Sequence, residues 1–165
     1  MTPEDLVEIE LIKRLKYRYF RCIDRKLWKE LETCFTEDAT AAYSAGHYSF
    51  TGRDAIMEFL RGSMSSDQFL SSHKVHHPEI DLTSPTTATG TWALEDYVIV
   101  ADAGINIHGA AYYEDEYVKV GGEWKIRHTG YERIFEEMGM RSDTPSLRLT
   151  ASYWGTGGRS EIDVP

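Results

Sequence analysis

Thr89-Gly90-Thr91-Trp92-Ala93-Leu94-Glu95-Asp96-Tyr97-Val98 decides how this chain is read. Trp92, Leu94 and Val98 alternate with smaller or polar residues, the two-residue period of a strand with one face buried. Asp96 falls on that apolar face. A carboxylate turned towards a core is costly unless it is paired or hydrogen-bonded. Either Asp96 reaches solvent or a backbone amide at a strand end, or another side chain receives it.

On either side of this stretch the chain keeps the same character. Residues 70–82, 86–101, 106–120 and 123–136 read as long strands, with Ser84-Pro85 and Gly121-Gly122 as turns. Upstream the period changes. Thr2-Pro3-Glu4-Asp5 is a helix-start signature, and Leu6, Ile9, Ile12, Leu15, Tyr19 and Cys22 recur at three- and four-residue steps. Asp24 ends this helix and is placed to cap a second through Leu27, Trp28, Leu31 and Phe35. A hairpin around Ala45-Gly46 is expected within 39–50, and Gly52-Arg53-Asp54 opens a third helix. Helices followed by a meander of strands predict an α+β fold, a curved antiparallel sheet covered by N-terminal helices. Strong curvature makes a cone whose mouth is an apolar pocket. Residues 1–143 read as one domain and 144–165 as an irregular tail, lying over the pocket or a neighbouring subunit.

Composition narrows the function. A chain of 165 residues, 41% hydrophobic, can bury one core. Its 18 basic and 27 acidic residues give a formal charge of -9, which repels phosphate backbones and anionic membranes. Neither nucleic acid nor a membrane is an expected partner. The start Met1-Thr2-Pro3-Glu4-Asp5 has no secretory character, so a cytoplasmic protein is expected. Cys22 and Cys34 read as buried thiols, and no GxGxxG or GxxxxGK[ST] stretch offers a nucleotide site.

His73, in Ser71-Ser72-His73-Lys74-Val75, is the candidate partner for Asp96. An Asp that accepts from one imidazole nitrogen fixes the tautomer and frees the other to take a proton. The competing reading is a structural histidine. Within His73-Lys74-Val75-His76-His77 only His73 and His77 share a strand face, and no third ligand is evident, so no metal is expected. Tyr19 and Asp24 share the end of the first helix. There Asp24 either orients the phenol or caps the next helix. In Tyr131-Glu132-Arg133-Ile134-Phe135, Arg133 shares a face with two aromatics, either in an ordinary ion pair or as a pocket-lining cation.

These residues resemble the SnoaL-like branch of the NTF2-like cone fold, and within it the bile acid 7α-dehydratases. The similarity runs from about Ile12 to Arg141 and is most specific in 16–24, 31–33, 88–96 and 129–137. It implies catalytic roles for Tyr19, Asp24, His73, Asp96 and Arg133, with His73 and Asp96 as a dyad, and no cofactor. The implied substrate is a 7α-hydroxy-3-oxo-4-ene steroid, and the implied assembly a homo-oligomer, a trimer favoured. His73 would take the C6 proton and return it to the departing hydroxyl, while Tyr19, oriented by Asp24, would donate to the 3-oxo group or the leaving hydroxyl. Two alternatives stand beside this: dehydration, isomerisation or cyclisation of another hydroxylated ring, and a non-catalytic lipid-binding domain. The segment 101–106, the start of the first helix and the tail after Thr150 depart from the dehydratase pattern.

Overall fold

The computed structural model describes residues 1–162; the last three of the tail, Asp163, Val164 and Pro165, lie outside the described residues. Helix α1 spans Pro3–Asp24. Thr2 caps it: the Thr2 hydroxyl accepts from the Asp5 amide, and the Asp5 carboxylate accepts from the Thr2 amide at 2.6 Å. The buried stripe begins at Ile12 and continues through Leu15, Lys16, Tyr19, Phe20, Cys22 and Ile23, leaving Leu6 exposed on the first turns. Helix α2 is Trp28–Glu32. Its N-cap is Leu27, with no side-chain cap, so Asp24 is not its capping residue.

Strands β1 (Phe35–Tyr43) and β2 (Tyr48–Thr51) form the expected hairpin, and α3 (Arg53–Met64) follows. The meander is β3 (Phe69–Ser84), β4 (Thr87–Val100), β5 (Ile105–Val120) and β6 (Glu123–Met140). One sheet results, ordered β2-β1-β6-β5-β4-β3. The expectation of a wholly antiparallel sheet is corrected at one junction, where β1 runs parallel to β6. No helix of the described residues is long and apolar enough to cross a membrane.

Two irregularities decide which side chains face inward. In β3 the pairing slips between His76 and Glu79, with His77 at a φ of 47° ahead of Pro78. In β6, Phe135 pairs Ala110 and Arg133 pairs Ala111, so Ile134 is an extra residue. The bulge reverses parity: Arg133 and Glu136 line the cavity, while Phe135 is exposed on the other side. The expectation that Phe135 shares the face of Arg133 is therefore wrong.

The core lies between the concave sheet and the three helices, centred on Tyr19, Phe20, Leu31, Trp92, Tyr113 and Ile126. The tail after Asp143 is irregular and runs back to the end of α1. There Arg25 donates to the Tyr153 hydroxyl at 2.8 Å and Lys26 lies over the Trp154 ring.

Candidate active site

A cavity of about 420 Å³ opens between α1, α3 and the concave face of the sheet. His73, Asp96, Arg133 and Tyr19 all line it, among aromatic and aliphatic side chains such as Phe59 and Leu94. Four of the five residues singled out in the sequence thus meet at one wall. The fifth, Asp24, stands directly behind His73.

His73 and Asp96 are direct partners across the β3–β4 ladder, as strand parity suggested. They are nevertheless not a dyad. The His73 Nδ1 is 2.6 Å from Asp24 Oδ1, and the same carboxylate accepts from the His73 backbone amide at 2.9 Å and the Ser71 hydroxyl at 2.8 Å. Since a carboxylate only accepts, Nδ1 carries a proton, and whenever the ring is neutral the lone pair belongs to Nε2. Phe20 stacks against the imidazole at 5.4 Å, fixing its plane. Asp24 can take this place because α1 ends beside β3, which turns its final carboxylate towards the strand.

Asp96 has a different partner. It is 3% exposed and accepts both Nη groups of Arg133 in a bidentate pair, the geometry that best offsets the burial of a carboxylate. Arg133 Nη2 also meets Glu136 at 3.0 Å. Space for the guanidinium comes from Gly109, opposite Asp96 on β5: a Cβ there would stand 2.7 Å from Arg133 Nη1.

Tyr19 does not touch Asp24 through a hydrogen bond; its hydroxyl is 3.1 Å from that of Tyr43. Tyr131 packs against both Tyr43 and Tyr113. Burial pushes the phenols of Tyr19, Tyr43 and Tyr113 upward, so at neutral pH all three are protonated donors. Below them Lys16, fully buried, places Nζ 2.6 Å from Asp115 and 3.8 Å from the centre of the Tyr113 ring. Asp115 also accepts from the hydroxyls of Tyr117 and Thr129.

Lys16, Tyr43, Asp115 and Glu136 were absent from the sequence-derived site. Two of them carried a readable signal. Lys16 sits four residues after Ile12 and three before Tyr19, on the apolar stripe of α1. Asp115 lies between Tyr113 and Tyr117 on the inward face of β5, the same anomaly that singled out Asp96. His77 is exposed in its bulge and does not join His73, and the described residues contain no cluster of three or more metal-ligating side chains.

The profile of the SnoaL-like domain family matches residues 4–130. Among solved structures, the Novosphingobium aromaticivorans protein assigned as a scytalone dehydratase is 27% identical, with a TM-score of 0.77 over 83% of this chain and 91% of that one. A type 2 LinA hexachlorocyclohexane dehydrochlorinase superposes with a TM-score of 0.74 at 15% identity, covering 82% of this chain and 90% of its own. ActVI-ORFA from Streptomyces coelicolor has a TM-score of 0.65 at 16% identity, over 76% of this chain and 96% of its own. The last two share the fold.

Proposed function

Because this chain belongs to the SnoaL-like domain family, with a carboxylate-held histidine lining an aromatic cavity, we propose that it is a cofactor-free dehydratase of a 7α-hydroxy-3-oxo-4-ene steroid. The observation that carries this is the Asp24–His73 pair. Asp24 holds the tautomer that leaves Nε2 basic, and it stabilises the imidazolium once a proton has been taken. The cavity volume falls within the roughly 300–1,000 Å³ usual for small-molecule sites.

An isolated alcohol does not readily lose water, since neither its C–H bond nor its hydroxide is activated. The 3-oxo-4-ene system removes the first obstacle. In the proposed reaction His73 Nε2 takes the C6 proton, and the electron pair of that bond spreads through the alkene to the 3-oxo oxygen as a dienolate. The phenol pair of Tyr19 and Tyr43 donates to that oxygen. The dienolate then collapses, C6 and C7 become doubly bonded, the C7–O bond breaks, and the imidazolium gives its proton to the leaving hydroxide as water. Asp96 and Arg133 stand beside His73 on the same wall as a mutually neutralising pair, a positioning role in place of the dyad expected for Asp96. A homo-oligomeric assembly belongs to the same proposal, supported by the exposed Tyr97, Tyr112 and Phe135, with the trimer resting on the family resemblance alone.

A second reading keeps the acid–base pair but changes the ring, to a hydroxylated polyketide or aromatic compound. It is favoured by the neighbour assigned as a scytalone dehydratase, at 27% identity. Incubating the metal-free protein with a 7α-hydroxy-3-oxo-4-ene bile acid should produce the ultraviolet band of the 4,6-diene. Absence of the diene alongside dehydration of a hydroxylated aromatic ketone would replace the first reading by the second.

A further inference from the structure

We propose that the cavity accepts the ring system of its substrate as a neutral molecule, and that Glu136 is the residue that turns anions away. This deepens the substrate assignment above and rests on the same cavity. An arginine on a pocket wall ordinarily invites a substrate carboxylate. Here both Nη groups of Arg133 are already engaged, by Asp96 and by Glu136 at 3.0 Å, and its buried Nε has no partner. The lining carries Asp96 and Glu136 against the guanidinium of Arg133: two negative charges less one positive leave an excess of one while His73 is neutral. The nearby cations do not reverse this. Lys16 is paired with Asp115 beneath the floor, and Lys26 lies outside the lining, where it faces Asp24 and Asp67.

Asp96 is buried, whereas the Glu136 side chain is 52% exposed. An incoming anion therefore meets Glu136 in solvent, and beyond it the lining guanidinium, that of Arg133, is already paired with two carboxylates. The chemical consequence is specific. A steroid acid enters with its carboxyl group masked as an ester, amide or thioester, or with the charged end of its side chain left outside the cavity. Like-charge opposition of this kind across a partly solvated rim weakens binding by about tenfold.

The test uses two small probes of matching shape, 2-naphthamide and 2-naphthoate, titrated into the whole protein at low salt. The His73 ring proton, assigned by its absence in His73→Ala, reports occupancy by NMR. The amide is expected to bind about tenfold more tightly than the carboxylate, and Glu136→Gln to narrow that ratio at least threefold. Equal or tighter binding of naphthoate, an unchanged ratio in Glu136→Gln, or no shift of His73 with either probe overturns the inference. Preference for the amide without steroid dehydration would leave it standing and remove only the steroid assignment.

Discussion

His73 Nδ1 lies 2.6 Å from Asp24 Oδ1, although Asp96 is the residue directly across the ladder from it. The two aspartates therefore carry separable roles, and substitution separates them. Asp24→Asn should lower turnover of the dehydration substrate by roughly 10²–10⁴-fold, because the imidazolium loses its counter-charge and Nε2 its assured lone pair. Asp96→Asn leaves the His73 tautomer intact but leaves Arg133 with only the half-exposed Glu136 as its counter-charge, so its larger effect should be on stability, of the order of 3 kcal/mol. Steady-state kinetics beside urea unfolding distinguish them. Equal kinetic losses with no loss of stability in Asp96→Asn would return Asp96 to the catalytic pair.

Tyr19→Phe and Tyr43→Phe test the phenol pair. One donor on a developing oxyanion supplies about 3 kcal/mol, so each change should lower kcat by roughly two orders of magnitude. The hydroxyls are 3.1 Å apart and act as one unit. The double variant should accordingly fall well short of the product of the two single losses. Full multiplicativity would show that the two hydroxyls act independently and not as one unit.

Periodicity made most of the fold legible, because the strands of the meander are long and the helix stripe is regular. It also put Asp96 on the buried face, where the structure has it at 3% exposure. Partner choice was not legible. Strand parity names the residue across a ladder, but a helix end arriving from another layer can outcompete it, as Asp24 does for His73. The Arg133 face was misread for a different reason: a single extra residue, Ile134, inverts every side chain after it. Asp115 was available by the same parity argument as Asp96. Tyr43 was not, since a tyrosine on an apolar face raises no question of burial.

Lys16 and Asp115 form an ion pair with neither side chain exposed. Lys16→Met should destabilise the protein by about 3–5 kcal/mol by leaving a buried carboxylate without its cation. Replacing both residues, as in Lys16→Met with Asp115→Leu, should recover part of that loss even though Tyr117 and Thr129 then lack an acceptor. Chemical denaturation of the three variants measures the coupling. Additive losses in the double variant would mean that the pair contributes nothing as a pair.

Alkaline pH should expose the tyrosine layer. Tyr19, Tyr43, Tyr113 and Tyr117 are all buried, and burial raises each phenol above its ordinary value near 10. The folded chain then holds protons that the unfolded chain releases, so the stability from these four groups is complete below about pH 10 and is lost as pH rises beyond it. Lys16 acts in the opposite sense, since burial lowers its pKa and the folded state releases that proton earlier. Four phenols outweigh one ammonium, and the net slope is downward. Of the ten tyrosines, those four should remain protonated in a spectrophotometric titration at 295 nm until the protein unfolds, and then ionise together with the loss of tertiary structure. Smooth ionisation of all ten while the fold persists would show that the phenols around the cavity are open to solvent, and would remove the basis for treating Tyr19 and Tyr43 as fixed neutral donors.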